Sequence, residues 1–246
     1  MLTRLLGTAA CLFVWGVTAA VAGWSVDVEL GPVFSGYNDV RVPNERGSDI
    51  SLSSDLDADP AFFYRVRGGY TFGERHSIMA LAAPLQIEAA GALDRPVVFN
   101  ELEIPAGVPI DATYRFDSYR LTYRYDFVRR PSLRFGLGVT AKVRDAAITL
   151  ESGGVEAEEA NTGAVPLINF ALTWAFAEKW TFRVDGDALA APQGRAEDVL
   201  VAVRYRIHKE VGLNAGYRML EGGADVDEVY NFAMLHYVVV GPSFTF

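Results

Sequence analysis

Leu133-Arg134-Phe135-Gly136-Leu137-Gly138-Val139-Thr140-Ala141-Lys142-Val143-Arg144 sets an apolar residue at every odd position and Arg, Gly, Thr or Lys at every even one. Successive side chains of an extended strand point to opposite faces, so this stretch has one apolar and one polar surface. The same period of two recurs along the chain. Trp24, Val26, Val28, Leu30, Pro32 and Phe34 oppose Ser25, Asp27, Glu29, Gly31 and Ser35. Phe62, Tyr64, Val66, Tyr70 and Phe72 oppose Arg65, Arg67, Gly69 and Thr71. The odd positions of 119–127 alternate with Arg120, Thr122, Arg124 and Asp126. The pattern returns over 168–176, 180–187, 199–207, 211–219 and 232–246. The stretch 76–90 is the weakest: Met79, Leu81, Leu85 and Ile87 are read as its apolar outer face, against Gln86 and Glu88. Tyr114 and Phe116 share the parity of Arg120, which indicates a β-bulge or a strand top beyond the apolar band.

These ten segments are joined by links that alternate in length. Short ones fall at Gly73-Glu74-Arg75, Val128-Arg129-Arg130-Pro131, Ala177-Glu178-Lys179 and His208-Lys209-Glu210. Long polar ones cover 38–59, 91–112, 150–162, 189–197 and 221–228. A meander through a bilayer, with tight turns on one side and loops on the other, has this order. Aromatic residues of the apolar parity (Trp24, Tyr70, Phe127, Trp174, Trp180, Tyr205) gather near the termini and short turns. Phe34, Phe62, Tyr217 and Phe232 gather near the long links. Two girdles at two interfaces follow. The expected fold is a ten-stranded antiparallel up-and-down barrel. An eight-stranded one is the alternative if 76–90 and a neighbour are not strands.

Arg4, the uncharged run 5–21 and the small-x-small site Ala20-Val21-Ala22 have the form of a cleaved secretory signal. The expected division is therefore a signal peptide at 1–22 and a barrel at 23–246. Cys11, the single cysteine, falls in that signal, so disulfides and thiolate chemistry are excluded from the mature chain. The net charge is −9, and loss of Arg4 makes it −10. A nucleic-acid partner, which needs a basic footprint, is excluded.

The closing run Val238-Val239-Val240-Gly241-Pro242-Ser243-Phe244-Thr245-Phe246, with the alternation before it, resembles the small outer-membrane β-barrel proteins of Gram-negative bacteria, of the OmpA/OmpX or porin-like type. The resemblance covers the whole mature chain and assigns no subfamily. It implies an outer-membrane location, periplasmic termini, contact with membrane lipid and lipopolysaccharide, and a terminal strand ending at Phe246 that the barrel-assembly machinery reads. It implies no activity, because pores, adhesins, enzymes and anchors share the fold.

The polar parity carries Arg65, Arg67, Arg120, Arg124, Arg134, Lys142, Arg144, Arg183, Arg204, Arg206 and Arg218, with Asp27, Glu29, Glu88, Asp126, Asp185 and Asp187. In a barrel this narrow, side chains fill the interior. Paired charges would plug and stiffen it, the leading expectation; a narrow charge-lined channel for small solutes or ions is the alternative. A lipid A-modifying hydrolase is a further one, since His236 lies on the outer parity, but no serine is placed with it in a recognisable motif. Asp55-x-Asp57-x-Asp59 has the spacing of a calcium loop, yet Pro60 stands where that loop needs Gly. The expectation is a protein without catalytic residues, metal or cofactor.

Overall fold

The computed structural model describes residues 23–246; the expected signal segment 1–22 lies outside the described residues. The strands, in chain order, are β1 (Gly23–Arg41), β2 (Ile50–Ser51), β3 (Asp57–Ala58), β4 (Ala61–Phe72), β5 (His76–Ala83), β6 (Gln86–Ala92), β7 (Val97–Phe99), β8 (Leu102–Ile104), β9 (Pro109–Arg129), β10 (Leu133–Ser152), β11 (Val155–Ala175), β12 (Trp180–Ala191), β13 (Gly194–Arg206), β14 (Val211–Asp225) and β15 (Tyr230–Thr245). Neighbouring strands pair antiparallel, and β15 pairs back onto β1, so the sheet closes into a ten-strand barrel in which β5 and β6 act as one strand. Register against β9 is the same on both sides of Pro84, which merely removes one donor from the ladder.

Closure explains how so apolar an exterior is tolerated. Trp24, Tyr64, Leu121, Val139, Ile168, Val201, Val238 and Val240 are all exposed on the outer wall. A soluble protein would bury such a band. A closed barrel in lipid needs it, because the ladders already pair the backbone groups of the strands they join. At the end carrying the termini, Trp24 packs on Tyr70 at 4.7 Å and Trp180 on Tyr205 at 4.8 Å between ring centres, forming the expected girdle. Towards the far end, the outward face passes from Tyr119 and Val143 to Asp117, Arg115 and Asp145. There Arg115 Nη1 donates to Asp145 at 2.7 Å, and this bond holds the Asp145 carboxyl below its ordinary range.

Three expectations need correction. Two of the long links, 150–162 and 189–197, are largely strand: β10 and β11 run to a tight turn at Gly153-Gly154, and β12 and β13 turn at Pro192-Gln193. Polar composition there marks a wall that rises beyond the apolar band, not a loop. Second, Met79, Leu81, Leu85 and Ile87 point inward, while Ile78, Gln86 and Glu88 point outward. Glu88 is therefore not a lumen residue. Met79 and Leu81, level with Thr122 and Arg120, turn inward because small Ala80 and Ala82 take the outer face, whereas Leu85 and Ile87 turn inward because the far half of the barrel has an apolar interior. The first two far-end loops fold into it, bringing Ile50, Leu52, Leu56, Val97, Phe99 and Ile104 against Val33, Phe63, Ile87, Ile110, Leu150 and Leu235. Each such side chain contributes roughly 1.5–3 kcal/mol on burial. Gly91 lets Leu56 pack close beneath this cap, since a Cβ there would stand 3.1 Å from Leu56 Cδ2. Third, of the two alternatives expected at Tyr114 and Phe116 the bulge falls away: they face inward with regular register in that part of β9, which leaves the expected strand top. The bulge in β9 lies at its other end, where the register against β10 shifts between Phe135 and Gly136.

Val139→Arg, a charge placed near the middle of the outer band, is expected to destabilise the barrel by about 2–4 kcal/mol, read from urea unfolding in phospholipid vesicles. An effect near zero would show that Val139 does not face hydrocarbon.

Candidate functional site

The interior charges meet at mid-height. Alternation turns Glu29 of β1, Arg65 of β4, Arg120 of β9, Asp187 of β12, Asp198 of β13 and Arg218 of β14 into the lumen, and all are buried. Asp198 is the centre. Its Oδ2 accepts from Arg65 Nη2 at 2.9 Å and Arg120 Nη2 at 2.6 Å, and its Oδ1 accepts from Arg218 Nη1. Arg218 reaches Glu29 through both Nε and Nη2, at 2.9 and 2.7 Å, a bidentate fit that the planar guanidinium favours. Asp187 and Asp198 stand directly opposite each other across β12 and β13. Two like charges at such a position repel. Arg120 resolves this by donating Nη1 to Asp187 at 2.7 Å and Nη2 to Asp198. Thr140 and Asn169 complete Asp187 at 2.7 and 2.9 Å.

One layer nearer the termini, Asp185 accepts from Arg67 at 2.6 Å and Arg124 at 2.9 Å, and Arg183 donates to Asp27 at 3.2 Å and Asn214 at 3.1 Å. Gly136 leaves room for this layer: a Cβ there would lie 3.0 Å from the Arg124 stem and 2.6 Å from Asp126 Oδ1. Below it, Arg134, Arg204 and Arg206 line a cavity of about 500 Å³ that opens at the terminal end. They belong to a mouth rather than to the ion-pair layers. On the other side of the layers, Lys142 and Arg144 line a second cavity of about 480 Å³. At the top of that region, burial and the nearby charge of Glu228 raise the Glu159 carboxyl above its ordinary range.

Of the residues expected in the lumen, Arg65, Arg67, Arg120, Arg124, Arg183, Asp185, Asp187 and Arg218 thus join the network. Lys142, Arg144, Arg134, Arg204 and Arg206 flank it. Asp198, its hub, is not among the expected lumen residues, because it lies between the polar link 189–197 and the alternating segment 199–207. Its parity with Arg204 and Arg206 was the available signal. The histidines lie apart from one another: His76 bonds Tyr123 at 2.8 Å near the terminal girdle, His208 is in the β13–β14 turn, and His236 bonds Tyr217 at 2.6 Å on the outer wall. No group of His, Cys, Asp and Glu fit to hold a metal occurs among the described residues.

The barrel is similar to known outer-membrane barrels. The outer membrane protease OmpT from Escherichia coli superposes with a TM-score of 0.60 at 12% identity, covering 91% of this chain and 97% of that one. The attachment invasion locus protein Ail of Yersinia pestis, with sucrose octasulfate bound, matches at TM-score 0.41 and 10% identity, covering 91% of this chain and 99% of that one. No protein-family model and no curated protein sequence matches. The chain is thus an outer-membrane-type β-barrel by fold, and at such identities the likeness extends to fold alone.

Asp198→Ala leaves three buried guanidiniums without their shared carboxylate, so a loss of about 3–5 kcal/mol is expected. Glu74→Ala, which removes the exposed partner of Arg129, is expected to change stability by less than about 1 kcal/mol. Urea midpoints in vesicles measure both; equal effects would mean the hub carries no special weight.

Proposed function

We propose that this protein resides in the outer membrane with its termini in the periplasm, as a barrel sealed at mid-depth, and acts through its wall and outer face without catalysis. The observation that carries this reading is the Asp198 hub. Strands from around the barrel send side chains to one point, and Arg218 and Arg120 there are 1% exposed. Solute passage would require separating charges that would each then be buried alone, a cost of several kcal/mol. Lipid and lipopolysaccharide are the expected surroundings of the outer band, and the strand ending at Phe246 is the expected signal to the assembly machinery. The exported state is the natural companion of a signal at 1–22.

A narrow channel is the second reading, supported by the two cavities that approach the ion-pair layers from opposite ends. Planar-bilayer recording separates the two. A sealed barrel gives no unitary steps under applied voltage. Steps whose size changes on neutralising Arg124 or Arg204 would establish the channel and overturn the seal. Altered lipid A in cells expressing the protein, seen by mass spectrometry, would overturn the non-catalytic reading.

A further inference from the structure

We infer that the far-side cavity is a binding site for a small amphipathic organic anion, a carboxylate with an apolar tail, entered through a gap in the barrel wall between β11 and β12. The inference does not depend on whether the mid-section conducts.

The gap follows from strand register. The β11–β12 ladder stops at Ile168 opposite Ala188, whereas β11 stays paired with β10 up to Val155 and β12 with β13 up to Ala191. Above Ile168 the ladder is open: β12 runs only three residues further, to Ala191, so β11 presents a free edge that carries Pro166, a residue without an amide donor. The cavity of about 480 Å³ sits behind this gap, lined on one side by Val165 and Leu167 and on the other by Leu189. From above it is crossed by the folded loops. Asn44 Nδ2 donates to Asp225 at 2.6 Å and to Val226 O at 2.9 Å, and Asn100 Nδ2 donates to Glu158 O at 3.3 Å. The side route is the one the register leaves.

The chemistry of the occupant follows from charge. At the hub, Arg65, Arg120 and Arg218 are matched by Glu29, Asp187 and Asp198. Lys142 is extra. It is 5% exposed, lines the cavity, and stands 4.8 Å over the Phe116 ring, with no carboxylate partner among the described residues. Asp187, Asp198, Glu197 and Glu221 also border the cavity. The oxygens of Asp187 and Asp198 are taken by Arg120, Arg65, Arg218, Thr140 and Asn169, Glu221 is held by Arg195 and Tyr37, and Glu197 is exposed at the rim. Beside Lys142, Arg144 donates Nη2 to the neutral Asn161 at 2.7 Å, and its buried Nε has no acceptor among the described residues. A buried lysine Nζ resting on an aromatic face, next to a half-used guanidinium, is a pair of donors that a carboxylate would complete. Tyr114, Phe116, Leu167, Leu189 and Leu220 supply walls for an apolar tail. Glu159 borders the adjoining small cavity, which places a negative group beyond Arg144 and confines the anion to the Lys142 side.

The test is titration calorimetry of the protein in phosphatidylcholine nanodiscs, with 4-phenylbutyrate and its uncharged analogue 4-phenylbutanol. The expectation is one saturable site for the carboxylate and binding of the alcohol weaker by about tenfold or more. Lys142→Met, checked as folded by its heat-dependent gel mobility, should weaken the carboxylate by a similar factor and leave the alcohol unchanged. Leu189→Trp, which narrows the gap, should slow or abolish binding. Lys209→Met, at the terminal mouth, should have no effect. Equal affinity for acid and alcohol, or unchanged affinity in Lys142→Met, would overturn the proposal. So would loss of binding in Lys209→Met, which would place the anion at the other mouth. Displacement of the carboxylate in phosphatidylcholine discs by a soluble short-chain phosphatidylglycerol, at concentrations where 4-phenylbutanol stays bound, would make an anionic lipid the occupant and likewise refute a free carboxylate.

Discussion

The structure depends on closure of the sheet. A strand in hydrocarbon cannot leave its amides and carbonyls unpaired, so β1 must find β15. It does so from Ser25 opposite Thr245 to Arg41 opposite Tyr230, absorbing one irregularity between Ser35 and Tyr37. Once the ring is closed, alternation has only two destinations, lipid and lumen. The lumen of so narrow a barrel has to be filled, and it is filled in two ways: charge at mid-height, aliphatic and aromatic side chains towards the far end. The boundary between the two runs close to Phe63, Tyr237 and Arg65, where an edge-on aromatic pair at 4.8 Å meets the first guanidinium.

Buried ion pairs do not by themselves make a fold stable, because desolvation offsets most of their attraction. Their effect here is on geometry. Three guanidiniums converging on one carboxylate lock the relative heights of β4, β9, β13 and β14, and a one-residue slip of any of these strands would turn its arginine or aspartate into lipid. The network thus acts as a register pin, and the apolar cap above it supplies the burial that favours the folded state.

How far this was legible in the sequence depends on what parity can and cannot encode. Parity alone told which face Arg65, Arg120 and Arg218 share, because the residues flanking them are apolar and regular. It could not tell that Arg218 meets Glu29, which is 189 residues away, since that needs the azimuth of each strand around the ring. Asp198 was lost because Pro192-Gln193-Gly194 and Glu197 resemble loop composition, although the strand begins at Gly194. Met79 and Leu81 were turned inside out because small alanines, Ala80 and Ala82, occupy the outer face while larger residues fill the interior. Ile50, Leu52 and Leu56 were hidden among acidic neighbours in 38–59, whose charge dominates any average over the segment. The gap between β11 and β12 has no sequence signature beyond Pro166, because it is a property of two ladders ending at different heights.

The tips of the far end divide into two kinds, with unequal freedom to change. The segments around Leu52 and Phe99 are exposed at their polar residues yet anchored by side chains that form the cap, so substitution there disturbs packing as it would in any core. Gly153-Gly154, by contrast, merely reverses the chain at the ends of paired strands, and Pro192-Gln193 does so with one further backbone bond, from Asp225 N to Gln193 O. Insertions at such tips cost little, since loop-closure entropy grows slowly with length. Sequence change along a lineage is therefore expected to gather at these two turns, while the capped sector retains its sequence.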